Sequence, residues 1–102
     1  AVMPMCFGIS FTTTYMNQAS ALVHVFTDGS ISVSTGGVEM GQGLKSNIAG
    51  IVAKGFGIRE HRIKIESTNT TRVANMSPSA ASATTALNGN ATLIAIEQVL
   101  DP

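Results

Sequence analysis

Cysteine occurs once in the 102 residues, tryptophan is missing, and aromatic residues make up only 5% of the chain. The lone thiol, Cys6, closes no internal disulfide, so a fold held by packing in a reducing, cytoplasmic setting is expected. Charge is scarce too: 12% of residues are charged, against ~25% in ordinary soluble domains. Lys plus Arg and Asp plus Glu number 6 each, for a net charge of +0. That balance excludes a protein that holds nucleic acid or an anionic membrane by bulk charge. No apolar run approaches the ~20 residues that cross a bilayer, and no stretch reads as a secretion signal. The hydrophobic share, 44%, is ordinary. An ordinary core with so little surface charge predicts a surface covered by other polypeptide. The chain therefore reads as a single segment, 1–102, of a larger protein.

What is present is patterned. Residues 7–16 are aromatic and β-branched and read as a strand or extended segment. Residues 21–27 and 31–35 flank Asp28-Gly29, a dipeptide favoured in two-residue hairpin turns where both central positions take positive φ. In the second strand Ile31 and Val33 alternate with Ser32 and Ser34, which predicts one buried face and one less apolar face. Leu44, Ile48, Ile51, Val52 and Phe56 recur at helical spacing, with Gly57 placed to end the helix. A short strand is expected over 63–67. Ser77-Pro78 is a helix-start signal ahead of 79–100, the serine as cap and the proline in the first turn. Gly89 inside that helix costs about 1 kcal/mol relative to Ala, so it predicts close approach of a neighbour. The expected fold is α+β, a small hairpin-containing sheet packed with two helices in the order β-ββ-α-β-α.

Two segments carry most of the chemical promise. Glycines 36, 37, 41 and 43 lie bare just before a helix N-terminus, where N–H groups and the positive dipole end suit an anion or oxo ligand. The spacing matches neither a Walker loop nor a dinucleotide fingerprint, and a plain strand-to-helix turn explains it equally. Gln42 has nothing local to pack on, so its amide is expected to hydrogen-bond something. The second segment is Ser77 to Thr84, where small residues admit another group close to the backbone and hydroxyls at Ser79, Ser82 and Thr84 could donate to phosphate oxygens. Close helix packing is the alternative there. Glu39 reads as a cap of the glycine loop, His24 as a sheet histidine and His61 as a solvated one. The two histidines and Cys6 have no metal-ligand spacing, and no catalytic residue is assigned within the chain.

Several runs taken together carry a resemblance. Phe7-Gly8-Ile9-Ser10-Phe11-Thr12, the stretch Asn17-Gln18-Ala19 through Asp28-Gly29-Ser30, and Gly36-Gly37-Val38-Glu39-Met40-Gly41-Gln42-Gly43-Leu44 occur in order. Ser67-Thr68-Asn69-Thr70, Ser77-Pro78-Ser79-Ala80-Ala81-Ser82 and Leu87-Asn88-Gly89 follow. The set resembles the molybdopterin-binding region of the xanthine dehydrogenase and aldehyde oxidase family, the molybdenum hydroxylases. The resemblance implies a fragment of a larger molybdopterin-binding domain, with molybdopterin, or its cytosine dinucleotide form, as cofactor. It also implies FAD and [2Fe-2S] centres in other parts of the enzyme.

By the same resemblance Gln42 hydrogen-bonds at the molybdenum site, with Gly41 beside the cofactor. Ala80 and Ala81 lie next to the metal, and Ser82 and Thr84 hold the pterin. Phe11 and Thr12 match a pair at the substrate pocket, the ring packing on a purine and the threonine touching its polar edge. That pair leans toward purine oxidation, as in xanthine dehydrogenase, by water-derived hydroxylation. Thr84 stands where serine is common in the family and keeps the hydroxyl. The family's general-base glutamate belongs to a later segment, so Glu39 and Glu66 are expected to be structural and the isolated chain inactive. The implied partners are the rest of the hydroxylase chain or its subunits and a purine-like small molecule, with no nucleic acid or membrane. Self-association of the isolated fragment is expected to cover its apolar surface. An aldehyde or N-heterocycle oxidase of the same family, or a non-catalytic cofactor-binding module, are the alternatives.

Overall fold

The computed structural model describes every residue except Phe7, Ala74, Asn75, Ala81 and Pro102. The hairpin forms where Asp28-Gly29 places it. Strand β1 (Ala21–Val25) pairs antiparallel with β2 (Ile31–Thr35), in a register running from Ala21 opposite Thr35 to Val25 opposite Ile31. Its turn differs from the expected two-residue form. Phe26 N–H donates to Ser30 O at 2.9 Å and Gly29 N–H donates to Phe26 O at 3.0 Å. Only Gly29 takes positive φ, +82°. This is a longer loop closed by a left-handed glycine, and Asp28 is relieved of strain. Its carboxylate instead accepts the backbone N–H and hydroxyl of Ser30, at 2.9 and 2.6 Å.

From β2 the chain runs through the glycine loop into helix α1 (Leu44–Phe56), then a 3-10 turn at Glu60–Arg62, and returns as β3 (Ile63–Ile65). Strand β3 pairs parallel with β2, giving the sheet order β1-β2-β3. A parallel pair needs such a crossover, and the helix supplies it. Because β2 is the central strand, all five of its residues are buried, including Ser32, Ser34 and Thr35. The less apolar face expected of it is therefore covered. Ser32 meets this by donating its hydroxyl to Glu66 Oε1 at 2.9 Å.

The core gathers Ile31 and Val33 from β2, Leu44, Ile48 and Val52 from α1, and Ile96 from helix α2 (Thr84–Leu100). The i+4 spacing of 44, 48 and 52 sets one stripe of α1 on the sheet. Two glycines let the helices touch. A Cβ on Gly89 would lie 2.7 Å from Ile51 Cδ1, and one on Gly55 would lie 2.9 Å from Ile96 Cδ1. The close approach predicted from Gly89 is thus present and is matched from the opposite helix. Gly57 ends α1 in the left-handed region at φ +69°.

Two elements differ from expectation. Among the described residues of 7–16 there is no strand: the only regular element is a 3-10 turn at Thr14–Met16. The side chain of Asn17 clasps Phe11, accepting its N–H at 2.9 Å and donating to its carbonyl at 2.8 Å. That clasp bends the segment into a loop, so the observed order is ββ-α-β-α within the same α+β class. Helix α2 also starts at Thr84 rather than after Pro78. Ser77 is used elsewhere: its hydroxyl accepts Gln18 N–H at 3.0 Å, and its own N–H donates to Gln18 O at 3.2 Å. Ser82, at φ +51°, interrupts helical continuation just before the observed start.

Candidate functional site

The glycine loop is ordered from within. Glu39 Oε1 accepts the N–H groups of Gly41 and Gly43 at 3.0 and 3.1 Å, and Oε2 accepts that of Lys45 at 2.8 Å. Gly41 and Gly43 reach these positions through positive φ, +95° and +83°. The Lys45 N–H above all, then those of Gly43 and Gly41, hold the Glu39 carboxyl below its ordinary value of 4.5, against a smaller opposing effect of burial. Glu39 is the cap its sequence position predicted. The consequence corrects the anion-binding expectation for this loop: the N–H groups of Gly41, Gly43 and Lys45, at the entry to α1, already face a carboxylate of their own chain.

Gln42 also has local partners, contrary to expectation. Its Oε1 accepts Met40 N–H at 2.5 Å and its Nε2 donates to Val38 O at 2.8 Å. The amide is locked across the loop while the residue stays exposed. A primary amide nitrogen carries two N–H groups, so one remains beyond the bond to Val38.

The second candidate segment lies directly against this loop. Val38 N–H donates to Ser79 Oγ at 2.8 Å, and Thr68 Oγ1 donates to Gly37 O at 2.7 Å. Gly36 lies under the Met76 side chain, leaving no room for a Cβ. Ala80 is exposed, as is Ser82, and Thr84 is half-buried as the first residue of α2. Among the described residues no side-chain cap closes the N-terminus of α2. Ala81 lies outside the described residues.

Phe11 is half-buried and Thr12 exposed, on the loop that Asn17 clasps. That loop joins the lead-in to α2 through the paired Gln18–Ser77 bonds, beside a cleft of about 330 Å³ lined by Tyr15, Met16, Gln18, Met76, Ser77 and Pro78. The three candidate segments are thus connected, 10–18 to 77–79 to 36–43. Among the described residues no hydrogen bond links Phe11 or Thr12 to Gln42, Ala80 or Ser82. His24, His61 and Cys6 are each exposed, and no group of three or more His, Cys, Asp or Glu among the described residues is placed to hold a metal.

Sequence reasoning missed the buried polar stripe of α2. Asn88 and Thr92 are both 0% exposed. Asn88 Nδ2 donates to Thr84 O at 3.0 Å, and Thr92 Oγ1 donates to Asn88 O at 2.7 Å. Their spacing of four from Thr84 to Ile96 was the available signal, hidden because the residues are polar.

The fold agrees with comparisons to known proteins. A family model described as the molybdopterin cofactor-binding domain matches residues 1–102. The chain is 51% identical over 100 residues to xanthine dehydrogenase 1 of Arabidopsis thaliana, covering 98% of this chain and 7% of that protein. It is 45% identical over 100 residues to xanthine dehydrogenase/oxidase of Felis catus, covering 98% and 8% respectively. Among solved structures it is similar to the reconstituted CO dehydrogenase from Oligotropha carboxidovorans, with a TM-score of 0.76 and 29% identity over 81% of this chain and 10% of that one. The chain thus spans less than a tenth of the length of these curated relatives.

Proposed function

Since the chain belongs to the molybdopterin cofactor-binding domain family, we propose that it forms one wall of the cofactor cage in a purine-oxidising molybdenum hydroxylase of the xanthine dehydrogenase type. The observation that carries this reading is the bonded junction of the Gln42 loop with the small-residue lead-in to α2.

The residues present fit the group. The end of α2 without a side-chain cap, with the hydroxyls of Ser82 and Thr84 beside it, suits an anionic phosphate. Exposed Ala80, with Ala81 next to it in sequence, leaves room for a bulky planar ligand to approach the backbone. Gln42 holds a fixed amide with an N–H to spare, and Gly41 adds no side chain in its way. When bound, the cofactor supplies a molybdenum centre that hydroxylates a carbon beside a ring nitrogen, with oxygen taken from water. Phe11 and Thr12 orient the purine, by ring packing and a polar contact.

In this reading Glu39 and Glu66 are structural and neither is the base. A general base works best with its pKa near the operating pH, and Glu39 and Glu66 are both held low. For Glu66 the Ser32 hydroxyl is the main cause. Its ion pair with Lys64, 3.4 Å long, acts in the same direction. By the same family reading the base, the FAD and the [2Fe-2S] centres belong to the remaining polypeptide or its partner subunits, and the isolated chain is inactive. Exposed Leu22, Val25, Phe26, Leu93, Ile94 and Leu100 fit a surface that such neighbours cover. No helix among the described residues is long and apolar enough to cross a membrane. Cytoplasmic residence belongs to the same reading.

The test is molybdenum per polypeptide, by elemental mass spectrometry, on the native protein that contains this chain. A value near one supports the reading. A value near zero in cells supplied with molybdate overturns it in favour of a non-catalytic module.

A further inference from the structure

Within that reading, on which this assignment rests, we propose that Asn88 is a positioning residue of the cofactor site, holding the Ser82–Thr84 turn against the Gln42 loop. Four residues from three elements meet at one point. A Cβ on Gly37 would lie 2.6 Å from Leu44 Cδ2, 2.8 Å from Thr84 Cγ2 and 3.1 Å from Asn88 Nδ2. The Asn88 amide nitrogen therefore lies where a Gly37 side chain would begin, and the same nitrogen donates to the Thr84 carbonyl at 3.0 Å.

Packing alone does not explain an asparagine here. The side chain is fully buried, and among the described residues Oδ1 has no hydrogen-bond partner, an arrangement with a stability cost that an apolar side chain of the same branched shape avoids. The buried stripe of α2 is divided in the same sense. Toward the candidate site Asn88 and Thr92 each donate to the carbonyl four residues back, from Thr92 to Asn88 and from Asn88 to Thr84. Farther along, Ile96 joins the apolar core and packs on Gly55. The polar half sets the position of the site end, and the apolar half holds the helix down.

The experiment compares Asn88→Leu with Ile96→Val in the native protein that carries this chain. Two quantities are read: the melting temperature of the cofactor-free protein and the rate at which molybdenum is lost on dialysis. Asn88→Leu should melt no lower than wild type, because the orphaned acceptor is gone, yet lose molybdenum roughly tenfold faster, the scale of one lost hydrogen bond. Ile96→Val should melt lower and lose molybdenum at the wild-type rate. If Asn88→Leu does not fold, Asn88→Thr and Asn88→Val make the same comparison at matched shape, the threonine keeping a donor for Thr84 O and retaining molybdenum longer. Equal loss from the hydroxyl and methyl variants, wild-type loss from Asn88→Leu, or loss that simply follows melting temperature in every variant would overturn the assignment. A wild-type protein without molybdenum would instead overturn the cofactor reading itself, before any variant is compared.

Discussion

The two helices offer the same backbone chemistry at their N-termini and use it differently. At α1 the Glu39 carboxylate, carried on a glycine-rich loop, accepts three N–H groups and neutralises the positive end from within the chain. At α2 no side chain among the described residues caps the helix, and the residues leading into it are small or hydroxylic. One end is closed by its own chain, and in the proposed reading the other is left for the cofactor. The closed end shapes the loop that carries Gln42, so under that proposal the two are complementary parts of one site. A run of glycines before a helix is thus a poor guide to anion binding until the acidic residues within the loop are accounted for.

The comparison breaks most sharply if α2 is closed in the manner of α1. Ser82→Asp places a carboxylate at an exposed left-handed position that aspartate tolerates. The helix dipole should then stabilise the cofactor-free protein by about 0.3–1 kcal/mol. Repulsion of the cofactor phosphate should reduce molybdenum retention by about tenfold or more. Unchanged retention would remove the distinction between the two ends.

Opening α1 is the converse experiment. Glu39→Gln leaves a single acceptor oxygen facing three N–H groups, and the melting temperature at neutral pH should fall. The sign with pH follows from the lowered carboxyl. A group whose folded pKa is depressed adds stability above its unfolded pKa and loses it as pH falls through the folded value. The gap between wild type and Glu39→Gln should therefore be full at pH 7, begin to shrink as acid is added below the ordinary value of 4.5, and close once the pH has passed below the lowered folded value. Melting curves across that range decide it, and a gap that widens in acid would contradict the capping role.

The smallest effect probes the link between the two helix ends. Asn47 Nδ2 donates to Thr85 Oγ1 at 3.1 Å across an exposed boundary. Asn47→Ala should cost at most about 1 kcal/mol and leave molybdenum retention unchanged, as chemical denaturation and metal analysis would record. A loss of retention would mean that this outer link, and not the buried Asn88 contact alone, sets the spacing of the site.

Much of the fold was legible because its signals are local. Asp28-Gly29 marked the hairpin, the 44-48-52 stripe marked α1, and Gly57 marked its end, each through a preference expressed within a few residues. Glu39 was legible as a cap for the same reason, since all three of its partners lie within six residues. One error came where a distant partner outbid a local preference. Ser77 carried a sound capping signal and was claimed by Gln18, 59 residues earlier in the chain. Another was local: residues 7–16 had strand composition, but a side-chain clasp from Asn17, six residues from Phe11, outweighed it and bent them into a loop.

The candidate residues divide along the same line. Sequence was enough to single out Gln42, the Ala80-Ala81 pair and the hydroxyls of Ser82 and Thr84, because residue type and motif order carry the resemblance without coordinates. Only tertiary structure joined the loop to the lead-in through Val38 and Ser79, left α2 without a side-chain cap while Glu39 closed α1, and buried Asn88 against Gly37. The reason is physical. Turn and helix preferences are energies of neighbouring residues and can be read along the chain. Which of two equivalent donors or helix ends stays available depends on what packs against it, and that is decided only when segments far apart in sequence meet.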